Sequence, residues 1–486
     1  MKRKSLWILA AILSAGLFVG ATSAVSAEEL SGKEVRGNDG YEVVCRTRGD
    51  VNGDGKISLR DALRALRVAA GIDEVDEDTY QKADADYDGT VSSEDALLLL
   101  QAALTGCSHL GYDEPEDEHI LIVDPEAFPV GDYCYQSLAD AVAYLNDNPP
   151  ASEEERKVVL FAPGVVREYT VLEAPYVTYR AMDTTQESKI TFYYASGHSY
   201  YSAPGGIYDS IGSKHASVCI GSNAHDFHAE YMTFENSFNI YVTEEELEDE
   251  YVLSNKKDEV EAHRANPSSY QTQALALYSK ADRQVFENCK FYGRQDTLCI
   301  NNGRMLFKDC YIEGTVDYIY GNATAVFVDC QLNMPYGGGY LTAASTLGDQ
   351  TYGFLFYNCE ITKQGVASSG QSAPAVSSYA LGRPWGERNN GDRAMVTYYY
   401  CKMDDHIKSG NDRFADMSID REEARWFEIG TMDLSGKSKD LSAICPSYET
   451  ILSEEDVTGE GVYAPWRWLY GTDKWNPAGF EVPSGQ

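Results

Sequence analysis

Phe286-x-x-Cys289, Phe307-x-x-Cys310 and Phe327-x-x-Cys330 recur at a nearly constant interval. A period of about 20–25 residues marks one supersecondary unit that cannot bury its apolar face alone, so successive units must stack. From about residue 170 onward the chain reads as short Tyr- and Phe-rich strands with Asn, Asp and Gly at the turns. The repeat therefore predicts an all-β domain, a parallel β-helix with one coil per period. Two aspartates share the interval. Asp296 in the run Gly293 to Leu298 and Asp317 in the run Gly314 to Gly321 are separated by the same step as Phe286 and Phe307. Stacked strands lie about 4.8 Å apart, so the two carboxylates are expected side by side on neighbouring rungs. Carboxylates that close cannot both ionise easily, and their pKa values separate into an acid and a base. Gln273 and Gln295, also about one period apart, are expected to stack in the same way and to offer amide donors.

The chain has 486 residues, 43% of them hydrophobic, enough for a large core and more than one domain. Residues 1–27 read as a secretory signal: Lys2, Arg3 and Lys4 precede an apolar stretch and the small-residue site Val25-Ser26-Ala27. The apolar stretch is short for a bilayer span, and no later run is long enough. A secreted, extracellular protein with no membrane partner is expected. Loss of the three basic residues takes the formal net charge from −36 to −39. That charge argues against nucleic acid and anionic membrane surfaces as partners. Of the eleven cysteines, those at 289, 310, 330 and 359 suit a coil interior as small apolar residues and need not pair. His225 and His228 lack an evident third metal ligand and read as packing or surface residues. Six of the seven residues 244–250 are acidic and read as part of an insertion between coils.

A different pattern occupies the N-terminal part. Residues 50–61 place Asp50, Asn52, Asp54, Lys56, Ser58 and Asp61 at positions 1, 3, 5, 7, 9 and 12 of a twelve-residue loop; residues 84–95 repeat this with Asp84, Asp86, Asp88, Thr90, Ser92 and Asp95. Gly55 and Gly89 hold position 6. This is the ligand spacing of an EF-hand calcium loop, with position 7 ligating through its carbonyl and Asp in place of Glu at position 12. Each loop is expected to run into an apolar helix, 62–70 and 96–104. The duplicated unit resembles a dockerin (type I-like), a module that plugs glycan-active enzymes into cohesin domains of a scaffold. The resemblance covers 45–107 and implies two Ca2+ ions, a cohesin partner and assembly into a cellulosome-type complex. By analogy the cohesin-facing residues are Leu59, Arg60, Ser93 and Glu94. Near-twofold symmetry of dockerin repeats would bring the two ends together, and a Cys45–Cys107 disulfide is expected to clasp them. Residues 108–118 read as an acidic linker, and 119–486 as the β-helix domain, opening with a strand at 120–123, a helix over 135–145 and a strand at 157–161.

The large domain resembles the pectin methylesterase (pectinesterase) family. The resemblance rests on Gln273-Ala274-Leu275-Ala276-Leu277, on Gly293 to Leu298, on Gly314 to Gly321, and on Leu381-Gly382-Arg383-Pro384-Trp385, in the family's order. It implies a right-handed parallel β-helix of the pectin lyase-like kind. It further implies hydrolysis of methyl esters of homogalacturonan with no catalytic cofactor. Asp317 would be the nucleophile, Asp296 the general acid and then base, Gln273 and Gln295 the oxyanion donors, and Arg383 the partner that keeps Asp317 ionised. Trp385 and Tyr320 would pack against sugar rings. Tyr318 and Tyr320 replace the family's usual Phe pair, so their hydroxyls need partners. The rival readings are a pectate lyase, a β-helix esterase acting on another ester, and a non-catalytic binding β-helix.

Overall fold

The structure, a computed structural model, describes residues 33–36, 43–46, 48–129, 132–203, 215–249, 262, 265–266, 272–363 and 371–486. The expected export segment and most of the acidic insertion beyond Asp249 lie outside the described residues. The chain divides into two compact units, one within 1–141 and 160–162, the other within 142–159 and 163–486.

The second unit is a stack of parallel strands. One seven-stranded sheet carries β1 (Thr170–Leu172), β2 (Ala216–Ile220), β3 (Leu275–Ser279), β4 (Leu298–Ile300), β5 (Val316–Gly321), β6 (Tyr340–Ala344) and β7 (Ala380–Gly382), each beside the next. Every pairing along it is parallel. An eight-stranded sheet runs from Gly164–Arg167 to Lys402–Met403. A third face stacks strands from Val177–Ala181 through Arg304–Lys308 to Arg425–Ile429. This is the parallel β-helix that the Phe-x-x-Cys repeat predicts.

Two ladders hold the coils in step. Phe286, Phe307, Phe327 and Phe356 are in direct register and stack face to face at centroid spacings of 4.7, 4.7 and 4.6 Å. Tyr398 continues the column at 5.1 Å. Just beyond each ring comes a buried cysteine, Cys289, Cys310, Cys330, Cys359 and Cys401. The residue before each cysteine adopts a left-handed turn, with φ of 53° to 54° at Asn288, Asp309, Asp329, Asn358 and Tyr400. Asn and Asp tolerate that conformation better than most residues. The thiols of Cys310, Cys330, Cys359 and Cys401 then each donate to a carbonyl one coil back, at 3.4 Å. The expectation of unpaired ladder thiols agrees with this arrangement.

In the first unit three helices form, α1 (Leu59–Ala69), α2 (Glu77–Ala83) and α3 (Ser93–Thr105). α1 and α3 start earlier than the expected 62 and 96. Ser58 and Ser92 are their N-caps, and Asp61 and Asp95 at the third helical position complete capping boxes. The loop's last ligand position thus lies inside the first helical turn. The segment expected as a helix over 135–145 instead begins with a short strand, Cys134–Tyr135, and the helix α4 covers Leu138–Asp147. The strands Ile120–Val123 and Lys157–Phe161 form as expected.

Phe307 is fully buried between two stacked rings. Phe307→Ala is expected to destabilise the β-helix by about 3–5 kcal/mol, read as a fall in the denaturant midpoint with an unchanged slope.

Candidate active site

The site lies on the face built by β3 to β7. Thr315 donates its N–H to the Arg294 carbonyl at 2.8 Å, and Asp296 donates its own to that of Val316 at 3.0 Å, so the two motif turns occupy successive coils. Ala274 donates to the Gln295 carbonyl at 3.3 Å, which puts Gln273 and Gln295 on neighbouring coils as well. Both aspartates adopt left-handed backbone, φ 64° at Asp296 and 49° at Asp317. The tight turns require glycine nearby: a Cβ on Gly314 would lie 2.1 Å from that of Tyr318.

Arg383 leaves the end of β7, passes over the Tyr340 ring of β6 at 4.1 Å, and reaches Asp317 on β5. It grips that carboxylate with two hydrogen bonds, Nε to Oδ1 at 2.8 Å and Nη2 to Oδ2 at 2.5 Å. Two strand spacings, roughly 10 Å, separate the strands, a reach suited to arginine and a geometry suited to its planar fork. Asp317 is 5% exposed and Asp296 9%. Burial raises the pKa of Asp317, and the hydrogen bonds and charge of Arg383 offset this only in part, so it stays above the ordinary carboxylate value. At Asp296 burial acts in the same direction and the charge of Asp317 adds to it, so its carboxyl is held well above the usual range. Hydrogen bonds from the Tyr320 hydroxyl and the Gln295 amide, together with the more distant Arg383, only partly oppose this. The pair is therefore electrically unequal: one carboxylate has its own cation and the other keeps its proton to higher pH.

Gln295, Val316, Gly339, Tyr340, Arg383 and Lys408 line an open groove of about 460 Å³. Tyr320 and Trp385 meet edge to face at 5.5 Å, and Trp385 is 37% exposed. Tyr318 points into the core and places its hydroxyl 3.7 Å from the Met334 sulfur, so its extra oxygen does not reach the groove. Three contributors escaped the sequence reading. Tyr340 lies outside every motif. Lys408 falls in an irregular stretch. Arg294 sits within a motif, yet only the fold shows that it is buried beneath the site, bonded to Glu313 at 2.6 Å. Glu313 is also held by Tyr311 and Asn333. His225 pairs with Asp226 at 2.6 Å, in keeping with a surface role.

The acidic loops of the first unit form a second candidate site. Asp50 accepts N–H bonds from Gly53, Asp54 and Gly55. Asp61 accepts from Asn52 and Ser58, and Asp95 from Ala85, Asp86 and Ser92. Oxygens of Asp84, Asp86 and Asp88 lie within 4.8 Å of one another. Arg48 holds Asp84 Oδ2 at 2.5 Å, while the buried Oδ1 has no hydrogen-bond partner. An oxygen-rich loop with one such acceptor fits a hard cation such as calcium. Burial lifts the pKa of Asp95 to about 6, as expected of a carboxylate whose counter-charge would be a metal. The expected Cys45–Cys107 clasp is not formed; both thiols are free and buried. Cys45 lies on a strand bridged to Tyr112, its sulfur 3.8 Å from His109 Nδ1. Cys107 is engaged by Thr105 at 2.9 Å and Gln136 at 3.1 Å.

Comparison with known proteins bears on both units. The Pectinesterase family model matches residues 257–410, and the Dockerin type I domain model matches 48–103. Pectinesterase 31 of Arabidopsis thaliana is 30% identical over 273 residues, 56% of this chain and 70% of that protein. A probable pectinesterase A of Neosartorya fischeri is 45% identical over 116 residues, 24% of this chain and 33% of that protein. Among solved structures, pectin methylesterase PemA from Erwinia chrysanthemi aligns with TM-score 0.51 at 23% identity, covering 71% of this chain and 97% of its own. Pectin methylesterase from carrot aligns with TM-score 0.53 at 19% identity, covering 76% and 99%.

The raised pKa of Asp296 has a stability consequence. The folded state holds this proton more tightly than the unfolded chain does, so stability falls as pH rises from the unfolded pKa to the folded one. Asp296→Asn keeps the shape and removes the charge. It is expected to raise the Tm of the β-helix at neutral pH and to leave it nearly unchanged at pH values where Asp296 is protonated in both states, as measured by thermal unfolding across pH.

Proposed function

Because the chain belongs to the pectinesterase family of carboxylic ester hydrolases, we propose that it demethylates homogalacturonan through an Asp317 acyl-enzyme, tethered to a scaffold by its dockerin. The observation that carries this reading is the two-pronged grip of Arg383 on Asp317 and not on Asp296.

The chemistry follows from that asymmetry. Asp317, kept ionised beside Arg383, attacks the carbonyl carbon of the methyl ester. The amides of Gln273 and Gln295 donate to the oxyanion as charge moves onto the ester oxygen. Asp296, still protonated, gives its proton to the departing methoxide, and methanol leaves. This forms an anhydride between Asp317 and the sugar carboxyl, with Asp296 now a carboxylate. Asp296 takes a proton from water, the hydroxide adds to the sugar's acyl carbon, and the C–O bond to Asp317 breaks. The products are a galacturonic acid, whose carboxyl releases its proton to solvent, and a regenerated pair of aspartates. Trp385 and Tyr320 offer faces for sugar rings. Lys408 and Arg383 place positive charge along a groove in an otherwise acidic chain, which suits a partly de-esterified polyuronate. One pectin methylesterase of the same fold is known in complex with a hexasaccharide, at 24% or less identity to this chain.

The dockerin type I match supports calcium in the 50–61 and 84–95 loops and a cohesin partner outside the cell. Two ions, bound through Asp50, Asn52, Asp54, Lys56, Ser58 and Asp61 and through Asp84, Asp86, Asp88, Thr90, Ser92 and Asp95, would organise the cohesin-binding helices.

Methanol release from highly methylated pectin is the direct test, run with and without EDTA while absorbance from new double bonds is followed. Methanol is expected under chelation with no rise in absorbance; calcium-dependent absorbance without methanol would instead identify a lyase. Asp317→Ala is expected to lower kcat by about 10³-fold or more, and near-normal turnover would remove the nucleophile assignment. Asp84→Ala is expected to abolish cohesin binding in pull-down while methanol release is retained.

A further inference from the structure

The C-terminal end of the β-helix buries a cluster that the esterase reaction does not use. Glu428 lies on the strand Arg425–Ile429, and Glu449 directly precedes the terminal strand Thr450–Ile451. Cys445 closes the short helix Leu441–Ile444 between them. One oxygen of each carboxylate and the Cys445 sulfur all lie within 4.8 Å of one another. Cys445 Sγ is 3.8 Å from Glu428 Oε2.

The two glutamates are unequally satisfied. Glu428 accepts from Arg413 Nη2 at both oxygens, at 2.7 and 2.5 Å, and from the Thr431 hydroxyl. The Glu449 side chain is 0% exposed, and neither of its oxygens has a hydrogen-bond partner. Its nearest cation is Arg413 Nε at 3.4 Å, itself without a hydrogen-bond partner. A buried carboxylate with no donor is costly. Two facing carboxylates can be reconciled by a shared proton or by a cation between them. The thiol at the third corner favours the cation and sets its class, because sulfur selects zinc-like ions over calcium.

We propose that Glu428, Cys445 and Glu449 bind one zinc-class divalent cation that staples the final coil of the β-helix. The charges close. Two carboxylates, one thiolate, the Arg413 guanidinium and a dication sum to zero. On binding, the ion displaces the Cys445 thiol proton and the proton that the carboxylates otherwise share. Cys445 is half-buried, which gives the ion a way in, whereas Glu428 and Glu449 lie deeper. Arg413 stays beside the ligands and orients Glu428, as outer partners of metal ligands commonly do.

The experiment uses the full chain, stripped of metal, re-equilibrated with excess Ca2+ to fill the dockerin loops, and titrated with Co2+. A thiolate-to-cobalt absorption band saturating at about one equivalent is expected. Cys445→Ser should lose the band, and Glu449→Gln should weaken Co2+ binding at least tenfold; pectin demethylation by both variants checks that they are folded. No band in the parent chain, or a band undiminished in Cys445→Ser, would overturn the proposal and leave a shared proton as the reason for the cluster.

Discussion

The coil register is the constraint on which everything else rests. After each of the five stacked rings the chain turns through a left-handed Asn, Asp or Tyr, then reaches a cysteine whose thiol bonds back to the previous coil. An inserted residue there would move the next Phe out of the ring column and leave a buried thiol facing the wrong backbone. The stacked rings and the turn geometry therefore enforce one coil length together, each penalising a slip that the other would tolerate. A carboxylate pair one coil apart is possible only because coil length is held this tightly.

On that scaffold, the proposed function depends on a difference between two nearly identical side chains. Asp296 and Asp317 share residue type, backbone conformation and burial. What separates them is β7, which ends where an arginine can cross β6 and reach β5. The Tyr340 ring lies beneath the guanidinium and limits its rotation, so the fork meets one carboxylate in one orientation. Beneath, the buried Arg294–Glu313 pair ties the Asp296 turn to the next coil. Proton affinity is thus apportioned by the order of strands, a property of the fold as much as of the two aspartates.

Much of this was legible in the chain because the β-helix writes its geometry as a period. The repeat gave the stacking, and the matched spacing of Asp296 with Asp317 and of Gln273 with Gln295 gave their adjacency. Arg383 needed its motif, since nothing in its separation from Asp317 along the chain announces a contact across two strands. Tyr340, Lys408 and Arg294 were invisible for the same reason: their roles depend on which coil they face. In the first unit the loop pattern was readable, but the helix starts were not. Ser58 and Ser92 serve both as loop ligand positions and as caps, and the capping role moves the helix boundary back into the loop. The Cys45–Cys107 expectation assumed that chain ends brought near each other would pair. Cys45 instead sits on a strand beside Tyr112 and His109, and Cys107 turns toward Thr105 and Gln136.

A solenoid also has to end. Every inner coil is covered on both sides, but the last one exposes a row of backbone groups and an apolar face unless something else covers them. Here the tail folds back: Trp468, Leu469 and Val457 join the apolar cluster built on Leu306, Leu355 and Phe427, with Tyr463 and Phe480 packed against it. That covers the outward apolar face of the coils from Val285 to Ile429. The opposite problem, how to keep the segment between Arg425–Ile429 and Thr450–Ile451 closed while it carries Glu428 and Glu449 inward, cannot be solved by apolar packing, because those side chains are charged and face each other. Arg413 neutralises one of them. The remaining charge has to be met by a proton or by a metal ion, and a cysteine placed within ligand reach of both carboxylates adds only a long thiol hydrogen bond to the first solution, 3.8 Å to Glu428, and a ligand to the second.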